Sequence, residues 1–199
     1  MRNGWTGRTA RGVAAAAVVL AVGACVGAVD RDYFTAAART RGGGLDGGLV
    51  AAAVDAVEDE LGVDEIRARA MTVGFGYVTL EVQVPSDPDE LDAYRFGASA
   101  RFGGDGLADP SPVTRHAHEP PLDTEVFEPG AAGIDRFDRM VAAALEAADL
   151  RGGYASGASI RRPAADGGDP LTSVTVTNDR RTVVVTFAPE GTLLEAVSR

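Results

Sequence analysis

Apolar residues recur along this chain on two different periods, and the change from one to the other happens twice. In LVAAAVDAVEDELG, Val50, Val54, Val57 and Leu61 are spaced by four, three and four, which makes one stripe of a helix that stops at Gly62. In YVTLEVQV the period falls to two. Val78, Leu80, Val82 and Val84 point one way while Tyr77, Thr79, Glu81 and Gln83 point the other, as a half-buried strand requires. Ile66 to Val73 supplies a partner strand, with Gly74 and Gly76 near the turn. Pro85 to Glu90 then turns the chain into a third strand, Asp92 to Ser99, where Tyr94, Phe96 and Ala98 alternate.

The same order follows further on. GIDRFDRMVAAALEAADLRGG sets Ile134, Phe137, Val141, Leu145 and Ala148 on one helical face and ends in Gly152 and Gly153. Strands are predicted at Tyr154–Arg161, Leu171–Thr177 and Thr182–Phe187, with a short last one at Leu193–Val197. Asn178 to Arg181 turns between two of them, placing Val174, Val176, Val183, Val185 and Phe187 toward the core. Residues 103–133 carry Pro110, Pro112, Pro120, Pro121 and Pro129 with five glycines, a density that denies the backbone helix and sheet partners and reads as a linker. Leu61 and Leu150 each close a helix before a glycine break, an offset of 150 − 61 = 89 residues. The predicted fold class is therefore α+β. It consists of two tandem helix-plus-antiparallel-sheet units, 49–102 and 134–199, which should pack together because a unit of that size buries only about 60% of its unfolded surface.

What precedes the first unit is different in kind. Residues 1–29 open with Arg2, Arg8 and Arg11, run apolar from Val13 to Val22, and reach the small residues Gly23 and Ala24 before Cys25. That is the three-part layout of an export signal. The tetrapeptide Val22-Gly23-Ala24-Cys25 resembles the lipobox of bacterial lipoproteins, with Val in place of the commoner Leu at its first position. The resemblance implies that Cys25 becomes the first mature residue, acylated on its thiol. A spanning anchor is a second reading, because apolar character continues to Val29. Those 17 residues from Val13 span about 26 Å as a helix against a hydrocarbon core of about 30 Å. A plain cleaved signal with an incidental thiol is a third. Each reading puts the domain outside the cytoplasm, at the outer face of the cell membrane. Cys25 is the only cysteine, so no disulfide staples the domain and its apolar core must hold it. Residues 30–48, ending in two glycine clusters, read as a flexible tether.

Charge narrows the partners. All nineteen basic residues are arginine, which excludes Schiff-base lysines, the phosphate-loop lysine and Ser-Lys dyads. Without the three arginines of residues 1–24, sixteen stand against twenty-nine carboxylates, a formal −13. Such a surface repels phosphate backbones, so no nucleic-acid partner is expected, and it favours a basic protein or envelope partner.

The segment Pro85-Ser86-Asp87-Pro88-Asp89-Glu90-Leu91-Asp92-Ala93-Tyr94-Arg95-Phe96 before a glycine, and the ending Thr182-Val183-Val184-Val185-Thr186-Phe187-Ala188-Pro189-Glu190-Gly191, sit within an order of signal, helix, strands, linker and second copy. In this the chain resembles small envelope lipoproteins of actinobacteria, whose repeats are similar to PepSY-like units and to the tandem fold of the β-lactamase inhibitor protein. The resemblance covers roughly residues 49–199 by architecture. It implies a non-catalytic module and carries over no functional residue.

Candidate chemistry is sparse. His116 and His118, with Glu119 and Asp123 nearby, put two imidazoles on one side of an extended segment. A closed zinc site wants four ligands and a catalytic one at least three, so solvated linker histidines are expected and no metal is assigned. Asp87, Asp89, Glu90 and Asp92 fail the calcium-loop pattern because Asp92 occupies the glycine place. Gly103-Gly104-Asp105-Gly106-Leu107-Ala108-Asp109 misses the β-roll nonapeptide and is not repeated. No G-x-S-x-G occurs; in Gly153-Tyr154-Ala155-Ser156-Gly157 the serine falls one place late. No catalytic residue and no cofactor are assigned. The expected function is a membrane-tethered extracytoplasmic lipoprotein that acts as a binding or regulatory module in the cell envelope. The alternatives are a metal-dependent or other hydrolase with a non-motif site, and a small-ligand carrier with a cavity between the repeats.

Overall fold

The computed structural model describes residues 44–99, 104–116, 118–163 and 167–199. The export or anchor segment, Cys25 and the tether up to residue 43 lie outside the described residues. The chain is α+β, and the strands among the described residues form one antiparallel sheet of nine.

Helix α1 (Gly47–Leu61) starts where the Asp46 side chain accepts the Gly48 N–H at 2.8 Å, capping an otherwise orphaned donor. It ends at Gly62 in the left-handed conformation, whose N–H returns to the last-turn carbonyls. Val50, Val54 and Val57 of the predicted stripe are buried, with Ala53 between them. Strands β1 (Ala68–Gly74), β2 (Tyr77–Val84) and β3 (Asp87–Ser99) follow as a meander. β3 begins five residues before the predicted start, and Pro88 is tolerated because the pairing with β2 shifts register between Gln83 and Val84, beside the hairpin.

The proline-rich stretch is drawn onto the sheet, which its composition did not predict. β4 (Gly104–Leu107) and the two-residue β5 (Ser111–Pro112) both pair with β3. A single turn of helix, α2 (Leu122–Glu125), and the mutual backbone bonds of Ala68 and Phe127, both 2.8 Å, bring the chain back to β1. β5 lies off the main strand path, where a proline without an N–H breaks no interior ladder.

A 3-10 turn at Ile134–Arg136 leads into α3 (Phe137–Ala148), which buries Phe137, Met140, Val141 and Ala144. α3 stops earlier than its glycines suggested. Asp149 takes the left-handed conformation at φ 44°, the one non-glycine residue with positive φ among those described. Aspartate tolerates that region better than most residues, and the turn delivers Leu150 into the core. β6 (Tyr154–Arg161), β7 (Leu171–Thr177) and β8 (Thr182–Phe187) match the alternation, and β9 (Leu193–Ser198) completes the sheet.

The strand order is β4-β3-β2-β1-β6-β7-β8-β9, with β1 and β6 paired antiparallel at the middle. α1 contacts β2, β3 and β4, and α3 contacts β6, β7 and β8, so each helix covers one flank. Met71, Val73, Leu80, Ile160, Val174, Val185 and Phe187 are 0% exposed and join both helices in one core. A smaller cluster of Leu91, Leu122 and Val126 forms where the 113–126 segment packs on β3. Leu91 pairs with Gln83, whose neighbour Val82 faces the main core. By strand alternation the segment therefore lies on the side of the sheet away from the helices.

Candidate functional site: the uncovered face of the sheet

The strand registers align a polar row across the side of the sheet that the helices leave bare. Arg95 pairs with Thr79, Thr79 with Thr72, Thr72 with Ser159, Ser159 with Ser173, Ser173 with Thr186, and Thr186 with Glu195. Five hydroxyls thus run between a guanidinium and a carboxylate over seven strands, roughly 29 Å at ordinary strand spacing. Part of the row is internally bonded: Ser173 Oγ and Thr186 Oγ1 are 3.4 Å apart, and the Thr186 hydroxyl donates to Glu195 Oε1 at 3.4 Å. At the other end Arg95 lies 4.4 Å from the centre of the Tyr77 ring, close enough for a cation–π attraction.

Beside the middle of this row opens a depression of about 600 Å³, within the range of ligand sites. Its floor is small because Ala70 of β1 sits between Glu81 of β2 and Arg161 of β6. A shift in register between Ala68 and Ala70 marks a bulge in β1. Such a bulge re-aims the side chain it carries, and Arg69 bonds Glu81 at 2.7 Å and Glu119 at 3.3 Å. Arg115 holds Glu119 and Glu125, each at 3.5 Å. This half-buried network fastens the crossing segment to the sheet and forms one wall.

The opposite wall has a different electrostatic state. Arg161 and Arg162 line it with Pro163 and Leu171. Among the described residues, no carboxylate stands within ion-pair distance of either arginine. Arg162 Nε is buried without a hydrogen-bond partner. A guanidinium presents five donors in a fixed plane, and a buried one left unpaired costs free energy until an acceptor arrives. The depression can thus take an acidic group at Arg161 and Arg162 while Glu195, across the hydroxyl row, takes a donor.

The two histidines stand elsewhere. His116 borders a second depression of about 400 Å³ with Arg115, Glu119 and Asp123. The His116 and His118 rings stack with centroids 5.7 Å apart and planes 13° from parallel, and both residues are exposed. Glu119 is turned to Arg69 and Arg115. No group of three or more His, Cys, Asp or Glu among the described residues is arranged to hold a metal ion. Nor is any described helix long and apolar enough to cross a membrane. Ser156, one place off the nucleophile pattern, is exposed on β6 and donates to the Thr175 carbonyl at 3.3 Å.

The residues that build this site were not singled out from the sequence. Thr72, Thr79, Ser159, Ser173 and Thr186 are the polar members of alternating strands and are visible as such. Their alignment depends on which strands neighbour each other, and the β1–β6 join has no local signature. Comparison with family models, with curated proteins and with solved structures finds no match, so what the site can do follows from its own geometry.

Proposed function

We propose that this chain is a membrane-tethered extracytoplasmic binding module without catalytic activity of its own, and that the part of the helix-free face of its sheet left open by the segment after β5 is the recognition surface. The observation that carries this reading is the polar row from Arg95 to Glu195 running beside a depression lined by Arg161 and Arg162, neither of which has a carboxylate partner among the described residues. Arg162 Nε is buried with no hydrogen-bond acceptor among the described residues, and an acidic group of a partner would supply one. The partner that fits is an envelope protein or component with an acidic group for Arg161 and Arg162. Around that group it would present basic side chains, because the remainder of the domain is strongly acidic. The lipobox-like Val22-Gly23-Ala24-Cys25 motif supports attachment to the outer face of the cell membrane through lipid on Cys25.

The two-unit organisation belongs to the same reading. Met71 and Ile160 face each other across β1 and β6. They are 160 − 71 = 89 residues apart, the offset that also relates Leu61 to Leu150. Residues equivalent under a repeat meet where an approximate two-fold axis crosses the sheet, which supports descent of both halves from one helix-and-strands unit. Both side chains are fully buried and fill the join, which favours recognition on the surface over a ligand carried between the halves.

The test is retention of envelope components from a detergent extract by the full-length protein. A partner that saturates and is lost on Arg161→Ala/Arg162→Ala supports the reading. Absence of any saturable partner, or retention indifferent to these substitutions, overturns it.

A further inference from the structure

The large apolar side chains exposed to solvent, among the described residues, all lie on one strand. Leu193, Leu194 and Val197 of β9 are 43%, 52% and 45% exposed. β9 is also the last strand of the sheet, paired with β8 on one side only. Proteins ordinarily guard such edges with shortness, charge, proline or a covering segment. Among the described residues the opposite edge follows that rule, with β4 running Gly-Asp-Gly-Leu and the two-residue β5 beside it on β3. β9 is six residues long, and every one of them is exposed.

The backbone is oriented for a further partner. The Arg199 N–H donates to the Thr182 carbonyl on β8 at 2.8 Å. By antiparallel alternation Val197 and Glu195 also bond toward β8, while the N–H and C=O groups of Ala196 and Ser198 point to the free edge. Glu195 and Val197 pair with Thr186 and Val184, so together with Arg199 they alternate on the uncovered face of the sheet.

We propose that this edge pairs antiparallel with β9 of a second copy, about a two-fold axis at Val197. The choice of occupant rests on charge complementarity within the strand itself. With the axis at Val197, Glu195 of each copy falls opposite Arg199 of the other, Val197 meets Val197, and Ala196 exchanges backbone bonds with Ser198. The side chains of the first two kinds of pair occupy the narrow, non-hydrogen-bonded positions, where cross-strand contacts are closest. An axis at Ala196 puts Glu195 against Val197 and Arg199 against Leu193, and leaves both charges unmatched. The helices of both copies stay on one side, and the polar row continues from one sheet into the next. Glu195 lines the depression, so the second copy brings Arg199 to its rim and completes an ion pair that a single chain lacks.

The experiment is sedimentation equilibrium of the full-length protein in density-matched detergent. The wild-type chain is expected to dimerise. Glu195→Arg and Arg199→Glu, each of which opposes like charges twice, are expected to weaken the dimer roughly tenfold or more. An equimolar mixture of the two single variants pairs unlike charges again, as does the double variant, and both are expected to recover the dimer. All substitutions fall at exposed positions, and circular dichroism checks that the fold is kept. A wild-type chain that stays monomeric at every concentration overturns the proposal, including the case in which β9 takes up an added peptide strand instead. Single variants that dimerise like wild type also overturn it, as does a mixture that fails to recover the dimer.

Discussion

The carboxylate of Asp138, in the first turn of α3, accepts the backbone N–H of Gly47, the first residue of α1, at 2.8 Å. One helix thus caps another 91 positions away in sequence. A Cβ on residue 47 would stand 2.8 Å from Asp138 Oδ1, so glycine permits the close approach. Asp138→Ala removes one accepted hydrogen bond at a helix N-terminus and is expected to cost about 1 kcal/mol. Gly47→Ala gains helix propensity but displaces the carboxylate, and is expected to be destabilising as well. The double variant should cost less than the sum, because both changes disable one contact. Urea denaturation of the four proteins measures this, and strict additivity would show that the contact contributes nothing.

Met71 and Ile160 occupy the middle of the sheet, fully buried and directly opposite each other. Truncating Met71 to Ala leaves a cavity between α1, α3 and the β1–β6 join, with an expected loss of about 2–5 kcal/mol. Ile160→Val removes one methylene group, about 0.5–1.5 kcal/mol. Because the join carries one core shared by both helices, unfolding of Met71→Ala should remain a single transition by circular dichroism and tryptophan-independent probes alike. Two separated transitions would mean that the halves are independent.

These positions show what a reader of the sequence can and cannot see. Val50, Val54 and Val57 announce a buried helical face, and the alternation through Val174, Val176, Val183 and Val185 marks strands whose observed limits match, because burial of one side imposes the period. The join of Ala70–Val73 to Ala158–Arg161 is a long-range pairing with no turn to signal it. The hydroxyl row was therefore legible as scattered polar residues and illegible as a surface. Pro112 and the glycines of 103–133 misled for another reason: proline forbids an interior ladder but not an edge contact. Asp149 ended α3 before the glycines because a short polar side chain accepted a left-handed backbone.

Tyr94 makes the fold sensitive to alkali. Its phenol is raised above its ordinary value of 10.0, first by burial and then by the nearby charges of Asp92 and Glu60, since all three oppose a phenolate. The folded chain therefore holds this proton more tightly than the unfolded chain. The resulting stability is fully present below pH 10 and is lost as pH rises through the raised folded value. Tyr94→Phe is expected to flatten the decline of stability above pH 10. Ultraviolet titration of the wild type should show one tyrosine ionising late. A late component that persists in Tyr94→Phe assigns the effect to another residue.

Arg161 and Arg162 separate binding from stability. Neither has a carboxylate partner among the described residues, and Arg161 is exposed. Replacing Arg161 by Ala should change stability by no more than about 0.5 kcal/mol. Arg162→Ala removes a buried, unsatisfied Nε and should leave the domain as stable or slightly more so, since the desolvated donor no longer goes without an acceptor. Arg69 is the contrast. Its bonds to Glu81 and Glu119 tie two segments together, and Arg69→Ala leaves Glu81 half-buried without its cation and Glu119 with Arg115 alone, an expected loss of about 1–2 kcal/mol. Thermal unfolding of the three variants should therefore rank Arg69→Ala well below wild type and the other two near it. A recognition surface keeps groups that the fold does not need, so a large loss of stability on removing Arg161 and Arg162 would make them structural residues and take away the proposed role of the depression.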